Sequence, residues 1–110
     1  MAAALQPAPA LLSFEEYLRT SFRPDCDFVD DHVEERNMGE TFHGLLQMQL
    51  GFWFISHRAE WKVRVISELR TRVSAQRVRI PDVAVVLDDA AIKETVRTTP
   101  PLIALEILSP

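Results

Sequence analysis

The chain has 110 residues, of which 47% are hydrophobic and 25% are charged, and its net charge is −4 with a pI near 5.3. This length fits one globular domain that can bury a core without disulfides or a structural metal. The single cysteine, Cys26, cannot form an internal disulfide, and no Cys or His spacing matches a zinc site.

The first twelve residues predict a disordered tail. They carry no positive charge, contain Pro7 and Pro9, and are too short for a signal peptide or a membrane span. The longest apolar stretch elsewhere, Leu50–Ile55, is far below the ~18 residues that a span needs. We therefore expect a cytoplasmic protein with no membrane partner and one domain over residues 13–110.

The next segment predicts a short helix and a hairpin. Ser13 and Glu16 form the pattern of a capping box, so a helix is expected to run to about Ser21. Two extended runs, Cys26–Val29 and Val33–Asn37, then predict two paired strands. Because the first run is acidic, we expect it at the edge of a sheet.

A long helix is predicted over Gly39–Arg58, where apolar residues recur at steps of three and four. Gly44 and Gly51 lie two turns apart and are expected to let the backbone approach a sheet closely. Met48 is expected in the core. The predicted inner face consists of Phe42, Leu45, Leu46, Leu50, Trp53 and Phe54.

Strands dominate the rest of the chain. Residues 63–73 alternate between apolar and polar side chains, which predicts half-buried strands. Val83–Leu87 and Leu102–Leu108 are nearly continuous apolar runs, typical of strands that are covered on both faces. One long helix followed by several strands predicts an α+β domain.

Charge is segregated along the chain. Residues 1–40 hold nine acidic and three basic side chains (net −6), and residues 41–80 hold two acidic and seven basic ones (net +5). Six of the twelve Lys and Arg residues lie between positions 62 and 79, where Glu68 is the only acid. This basic block could attract a polyanion, or it could be a solvated strand face. The acidic pI disfavours a dedicated, tight nucleic-acid binder.

Glu106 is the most informative residue, because it interrupts the apolar run Leu102–Leu108. A buried carboxylate must be compensated. The alternatives are a position at the end of the sheet, a metal ion, a shared proton, or an ion pair with a strand arginine.

Asp82 begins the other apolar strand, directly after Pro81. If the two strands run antiparallel, Asp82 falls opposite Glu106. If they run parallel, Asp82 pairs near Leu102 and Glu106 lies roughly 13 Å further along. The antiparallel arrangement makes a two-carboxylate site suited to Mg²⁺.

Several motifs together resemble the Uma-type restriction endonuclease domain, a branch of the PD-(D/E)XK nuclease superfamily. The resemblance runs from about Ser13 to the last residue. The motifs are Glu15-Glu16-Tyr17-Leu18, Pro24-Asp25-Cys26-Asp27-Phe28-Val29-Asp30, Glu34-Glu35-Arg36-Asn37, His43, Pro81-Asp82 and Glu106-Ile107-Leu108-Ser109-Pro110.

The resemblance implies a restriction-endonuclease-like fold, with a helix packed on a mixed, largely antiparallel sheet. It implies that Asp82 and Glu106 are catalytic and bind Mg²⁺ or Mn²⁺, with the backbone carbonyl of Ile107 as a further ligand, to cleave DNA. Glu35 or Glu40 could act as an accessory acid. His43 matches a family histidine, but it could equally be a solvated helical residue.

The chain departs from the family pattern in two ways. Leu108 stands where the superfamily motif has lysine two residues after the acid. The resemblance also covers the amino-terminal portion of such a nuclease, so we expect the carboxyl-terminal part to be missing and the isolated chain to be inactive. A homodimer or a complementing carboxyl-terminal segment could complete it.

Two readings of other classes remain open. The chain could be a non-catalytic nucleic-acid-binding or interaction module that uses the basic block, or a structural domain in which Glu106 is simply ion-paired.

Overall fold

The computed structural model of the chain describes residues 11–36, 41–89, 93 and 95–108. Within them the chain forms three helices and seven strands, so the predicted α+β class is confirmed. The first ten residues of the expected tail lie outside this description. In chain order, the elements are α1 (Phe14–Arg19), β1 (Cys26–Val29), β2 (His32–Glu35), α2 (Thr41–Ser56), α3 (Arg58–Trp61), β3 (Val63–Ser67), β4 (Thr71–Ser74), β5 (Arg77–Arg79), β6 (Val83–Leu87) and β7 (Ile103–Leu105).

The strands form two sheets, one with the order β2-β1-β5-β4 and one with the order β3-β6-β7. Neighbouring strands pair antiparallel in both sheets. The chain leaves the second sheet after β3, adds β4 and β5 to the first sheet, and returns with β6. Asp82 lies on this return, between the end of β5 and the start of β6.

β1 lies inside its sheet, so the expectation that its acidic residues place it at an edge is wrong. It pairs with β2 on one side and with β5 on the other. Asp27 of β1 lies 3.2 Å from the guanidinium of Arg79 in β5. An acidic strand can occupy an inner position because a basic neighbour offsets its charge.

α1 begins with the predicted capping box. The Ser13 hydroxyl accepts the Glu16 N–H, and the Glu16 carboxylate accepts the Ser13 N–H, both at 3.1 Å. The helix ends at Arg19, two residues earlier than expected. Leu12, the last residue of the expected tail, is attached to the hairpin, since its N–H donates to the Asp31 carbonyl at 3.0 Å.

The core of the first sheet is aromatic. Tyr17 and Phe28 are fully buried, with ring centroids 5.0 Å apart. The Tyr17 hydroxyl donates to the Cys26 carbonyl at 2.6 Å, which satisfies the one polar atom of that ring. Phe22 and Val78 complete this cluster. α1 is therefore fixed to the sheet by apolar contact and one buried hydrogen bond.

The buried face of α2 differs from the face that its apolar spacing predicts. Phe42 and Met48, both expected in the core, are 82% and 75% exposed. His43 and Gln47 take inner positions because they contact Asp82, as described below. The buried and half-buried residues of α2 are His43, Gln47, Leu50, Gly51 and Phe54.

The bounds of α2 also differ from the expected Gly39–Arg58. The helix ends at Ser56 and the short α3 follows, while the expected start lies outside the described residues. A Cβ added at Gly44 or Gly51 would have no atom within 4 Å, so the expected close approach to a sheet is wrong. No helix in the described ranges is long and apolar enough to cross a membrane.

The two apolar runs of the second sheet differ in how deeply they are buried. Val83–Val86 of β6 are at most 2% exposed, as predicted, whereas Leu87, the last residue of the expected covered run, is 49% exposed. β7 has three residues and is half-exposed, with Ile103 38% exposed, so the expected strand Leu102–Leu108 with both faces covered is wrong. The physical reason is that, within the part of the chain that the structure describes, β7 is the last strand of its sheet and pairs with β6 on one side only.

Removing one core ring tests this account of the first sheet. Phe28→Ala is expected to lower the free energy of unfolding by about 3–5 kcal/mol, because the ring is fully buried. Phe42→Ala, the matched change at an exposed phenylalanine, should cost less than about 0.5 kcal/mol. Urea denaturation followed by circular dichroism measures both values, and similar costs for the two variants would contradict the assigned core.

Candidate functional site

A cleft with a volume of about 520 Å³ lies beside Asp82. The side chain of Asp82 is 3% exposed, and its predecessors Ile80 and Pro81 are buried. The charged residues that line this cleft are Asp27, Glu34, Glu35, Asp82, Glu106, Arg36 and Arg79. The described lining thus contains five acidic and two basic side chains.

Strand register brings the two predicted site residues together. β6 and β7 pair antiparallel, with Val83 facing Leu105 and Val85 facing Ile103. Extending this register by one residue sets Asp82 opposite Glu106, and both line the cleft. The parallel alternative, which would separate the two carboxylates, is excluded.

The carboxylate of Asp82 is held from several sides. The Arg36 guanidinium donates to Oδ1 at 2.9 Å, and the Ile107 N–H donates to Oδ2 at 2.7 Å. The Gln47 amide donates to the Asp82 backbone carbonyl at 2.8 Å. These contacts compensate the burial of a charge that would otherwise be costly.

His43 is buried, with 7% of its surface exposed, so the interpretation of a solvated helical histidine is wrong. Its Nε2 lies 3.2 Å from Oδ2 of Asp82, but the two atoms are not aligned as a hydrogen bond. Among the described residues, Nε2 of His43 therefore has no hydrogen-bond partner, although it lies beside the Asp82 carboxylate.

Glu106 lies one residue beyond β7 and is exposed, rather than inside a buried strand. Among the described residues it makes no hydrogen bond and no ion pair, which excludes the expected alternative of a strand arginine partner there. Desolvation raises the pKa of its carboxyl, and the nearby charges of Asp82 and Asp27 raise it further. The cleft thus disfavours a negative charge on Glu106.

Asp27 shares this electrostatic environment. Its pKa is raised, first by desolvation, although Arg79 and the N–H of Ile80 act in the opposite direction. Two carboxyl groups of one cleft therefore have raised pKa values. Added positive charge in the cleft would relieve both of them.

A cation at this position would have few protein ligands. Across residues 11–36, 41–89, 93 and 95–108, no group of three or more His, Cys, Asp or Glu side chains could hold a metal ion. The ligands implied by the family resemblance are two carboxylates, Asp82 and Glu106, with the Ile107 carbonyl. Of the suggested accessory acids, Glu35 lines the cleft and Glu40 lies outside the described residues.

The basic block is not a free basic surface. Glu68, the one acid within the block, pairs with Arg36, and four of the six cations of the block pair with acids from elsewhere in the described chain. The acids come mainly from the amino-terminal hairpin, which the linear sequence does not place nearby. The ion pairs are Arg70–Asp25 at 2.7 Å, Arg77–Asp30 at 2.8 Å, Arg79–Asp27 at 3.2 Å and Arg64–Asp88 at 3.3 Å.

Sequence reasoning missed two residues of this site, Arg36 and Gln47. Gln47 lies one helical turn after His43, so helical spacing could have identified it once His43 was placed. Arg36 belongs to one of the family motifs, but no pattern in the sequence indicates that it reaches Asp82.

Comparison with solved structures identifies the class of fold. A crystal structure described as that of a putative nuclease belonging to DUF820 from Anabaena variabilis superposes with a TM-score of 0.77 and 19% sequence identity. The similarity covers 89% of this chain and 59% of that chain, so this chain spans about three fifths of the neighbour. The fold is that of the nuclease-like α+β neighbour. No curated protein matches this chain.

The family follows from the sequence match. The family model described as "Uma2: Putative restriction endonuclease" matches residues 14–110. The chain therefore belongs to the Uma2 family, and the resemblance drawn from its motifs is confirmed.

The environment of Glu106 predicts a pH-dependent stability. A carboxyl group whose pKa is higher in the folded state stabilises the fold at acid pH, and this contribution is lost as the pH rises through the folded pKa. Glu106→Gln cannot lose a proton, so its stability relative to the wild type is expected to increase from pH 4 to pH 7.

Thermal unfolding at several pH values measures this difference. Glu15→Gln, at an exposed acid that makes no ion pair among the described residues, is the control and should show no comparable increase. A Glu106→Gln difference that is constant with pH would contradict the proposed environment of this carboxyl.

Proposed function

We propose that this chain carries the metal site of a DNA endonuclease, which hydrolyses phosphodiester bonds with Mg²⁺ or Mn²⁺. Asp82, Glu106 and the backbone carbonyl of Ile107 are the proposed protein ligands, and both carboxylates are catalytic. Membership of the Uma2 family supports this function. The observation that carries it is the antiparallel register that sets Asp82 opposite Glu106 on one cleft.

The donor set fits such an ion. Carboxylate and carbonyl oxygens are the hard ligands that Mg²⁺ and Mn²⁺ prefer. A carboxylate has about four lone-pair positions, and the hydrogen bonds to Asp82 use one on each oxygen. Glu106 accepts no hydrogen bond from the described residues. Both carboxylates therefore keep lone pairs that could coordinate a metal ion.

Some residues of the chain would bind the metal ion, and others would orient its ligands. When bound, the metal supplies an activated water and stabilises charge on the scissile phosphate. Arg36 and the Ile107 N–H fix the Asp82 carboxylate. Arg79, whose side chain is 45% exposed, also lines the cleft, where its guanidinium pairs with Asp27 and Glu34.

Leu108 limits the activity that we expect of the 110-residue chain. It lines the cleft and is 87% exposed, at the position where the superfamily motif has lysine. An apolar side chain cannot stabilise developing negative charge. We therefore propose that this chain cleaves DNA little or not at all.

The alternative of a non-catalytic nucleic-acid-binding module is less well supported. It depends on a free basic block, whereas arginines of that block are paired with acids of the hairpin. The phosphates of DNA would have to compete with these carboxylates for the same guanidiniums.

Metal binding is the first test of the proposed function. Titration calorimetry with Mn²⁺ should detect binding to the wild-type chain, and Glu106→Gln is expected to weaken it by about tenfold or more. Glu60→Gln should bind as the wild type does. Equal affinity of the wild type and Glu106→Gln, or no binding at all, would exclude the proposed site.

Nicking of supercoiled plasmid in Mg²⁺ tests the role assigned to position 108. The wild-type chain is expected to nick little or not at all. Leu108→Lys should raise the rate by about a hundredfold, because it adds a cation where charge develops. Leu108→Met is the matched control, and adding Glu106→Gln to Leu108→Lys should abolish nicking. Fast nicking by the wild type that depends on Asp82 would refute the proposal that Leu108 limits the activity.

A further inference from the structure

Arg36 is a buried cation that joins two carboxylates. Its side chain is 5% exposed, with Nη1 2.9 Å from Oε1 of Glu68 and Nη2 2.9 Å from Oδ1 of Asp82. Arginine is always ionised, so its burial requires such partners. The planar guanidinium fork can contact both acids at once, whereas a lysine ammonium is a compact point charge.

The position of Arg36 makes this contact a link between the two sheets. Arg36 follows β2, at the edge of the first sheet. Glu68 follows β3 and Asp82 precedes β6, which are neighbouring strands of the second sheet. The guanidinium therefore connects the end of one sheet to two strands of the other, beside the cleft.

The backbone of Glu68 supports a specific role for this link. Its φ of 52° lies in the left-handed region, which is unfavourable for a residue with a side chain. Such strain persists where surrounding contacts fix the residue. The ion pair with Arg36 is the one contact by which the Glu68 carboxylate is held among the described residues.

We propose that Arg36 is a positioning residue of the metal site. It fixes the Asp82 carboxylate so that Oδ2 accepts the Ile107 N–H and Asp82 and Glu106 share one cleft. This inference rests on the proposed function for its catalytic meaning, but the orientation of Asp82 can be measured without a metal.

Hydrogen exchange at the Ile107 amide reports this orientation directly, since that amide donates to Asp82. Residue-resolved exchange by NMR should show a protected Ile107 in the wild type. Arg36→Met is expected to accelerate its exchange by about tenfold or more, because Asp82 loses its second anchor. Arg77→Met removes an exposed, paired arginine away from the cleft and is the matched control, expected to leave Ile107 unchanged.

If Arg36→Met does not fold, Arg36→Lys tests the positioning role of Arg36. A lysine keeps the charge but cannot bridge both acids, so Ile107 should exchange at a rate between those of the wild type and Arg36→Met. An unprotected Ile107 in the wild type, or protection that is unchanged in Arg36→Lys and Arg36→Met, would overturn the positioning role.

Mn²⁺ titration of the same variants separates this inference from the proposed function. A positioning role predicts weaker binding in Arg36→Met by about tenfold. Tighter binding would mean that Arg36 competes with the ion for Asp82, which would also overturn the proposal. If the wild type binds no Mn²⁺, the proposed function fails. The exchange rate of the Ile107 amide still tests whether Arg36 orients Asp82.

Discussion

The burial of one carboxylate, that of Asp82, determines how the elements around the cleft are arranged. A buried negative charge is tolerated where nearby donors compensate it. Arg36 donates to it from the end of β2, and Ile107 donates to it from the residue pair after β7. From the inner face of α2, Gln47 donates to the Asp82 backbone carbonyl, and His43 lies beside the carboxylate. Both sheets and the long helix therefore meet at a single residue. Moving any one of these elements would leave a charge or a polar group without its partner.

A second constraint acts on the surface, where the fold cancels the charge segregation of the chain. The acidic amino-terminal third and the basic middle third become neighbours, because β1 pairs with β5. Acids of the hairpin then contact arginines that are far away in sequence. These pairs carry modest energy individually at exposed positions. Their larger effect is to place acidic and basic strands next to each other and to remove a strongly basic face.

Local sequence patterns predicted the local structure well. The capping box of α1, the hairpin and the burial of Val83–Val86 in β6 follow from capping chemistry, turn signals and a continuous apolar run. The parallel and antiparallel registers of Asp82 and Glu106 were both compatible with the sequence, and the structure has the antiparallel one. The failures have a common physical cause, which is tertiary contact. The inner face of α2 is set by His43 and Gln47 reaching Asp82 rather than by apolar spacing, and β1 is internal because Arg79 offsets its charge. Arg36 could not be found, since its two partners lie 32 and 46 residues away in the chain.

The exposed apolar side chains of α2 have a consequence for the local dynamics of the cleft. A helix gains most of its stability in proteins from burial of one face, and α2 buries little of its apolar surface. Segments with few buried contacts open with a lower free energy than the whole domain. Opening of α2 would withdraw His43 and Gln47 from Asp82 while leaving Arg36 and Ile107 in place. The order around Asp82 on the side of α2 thus varies with the local unfolding equilibrium of α2, whereas its contacts with Arg36 and Ile107 follow the global stability of the fold.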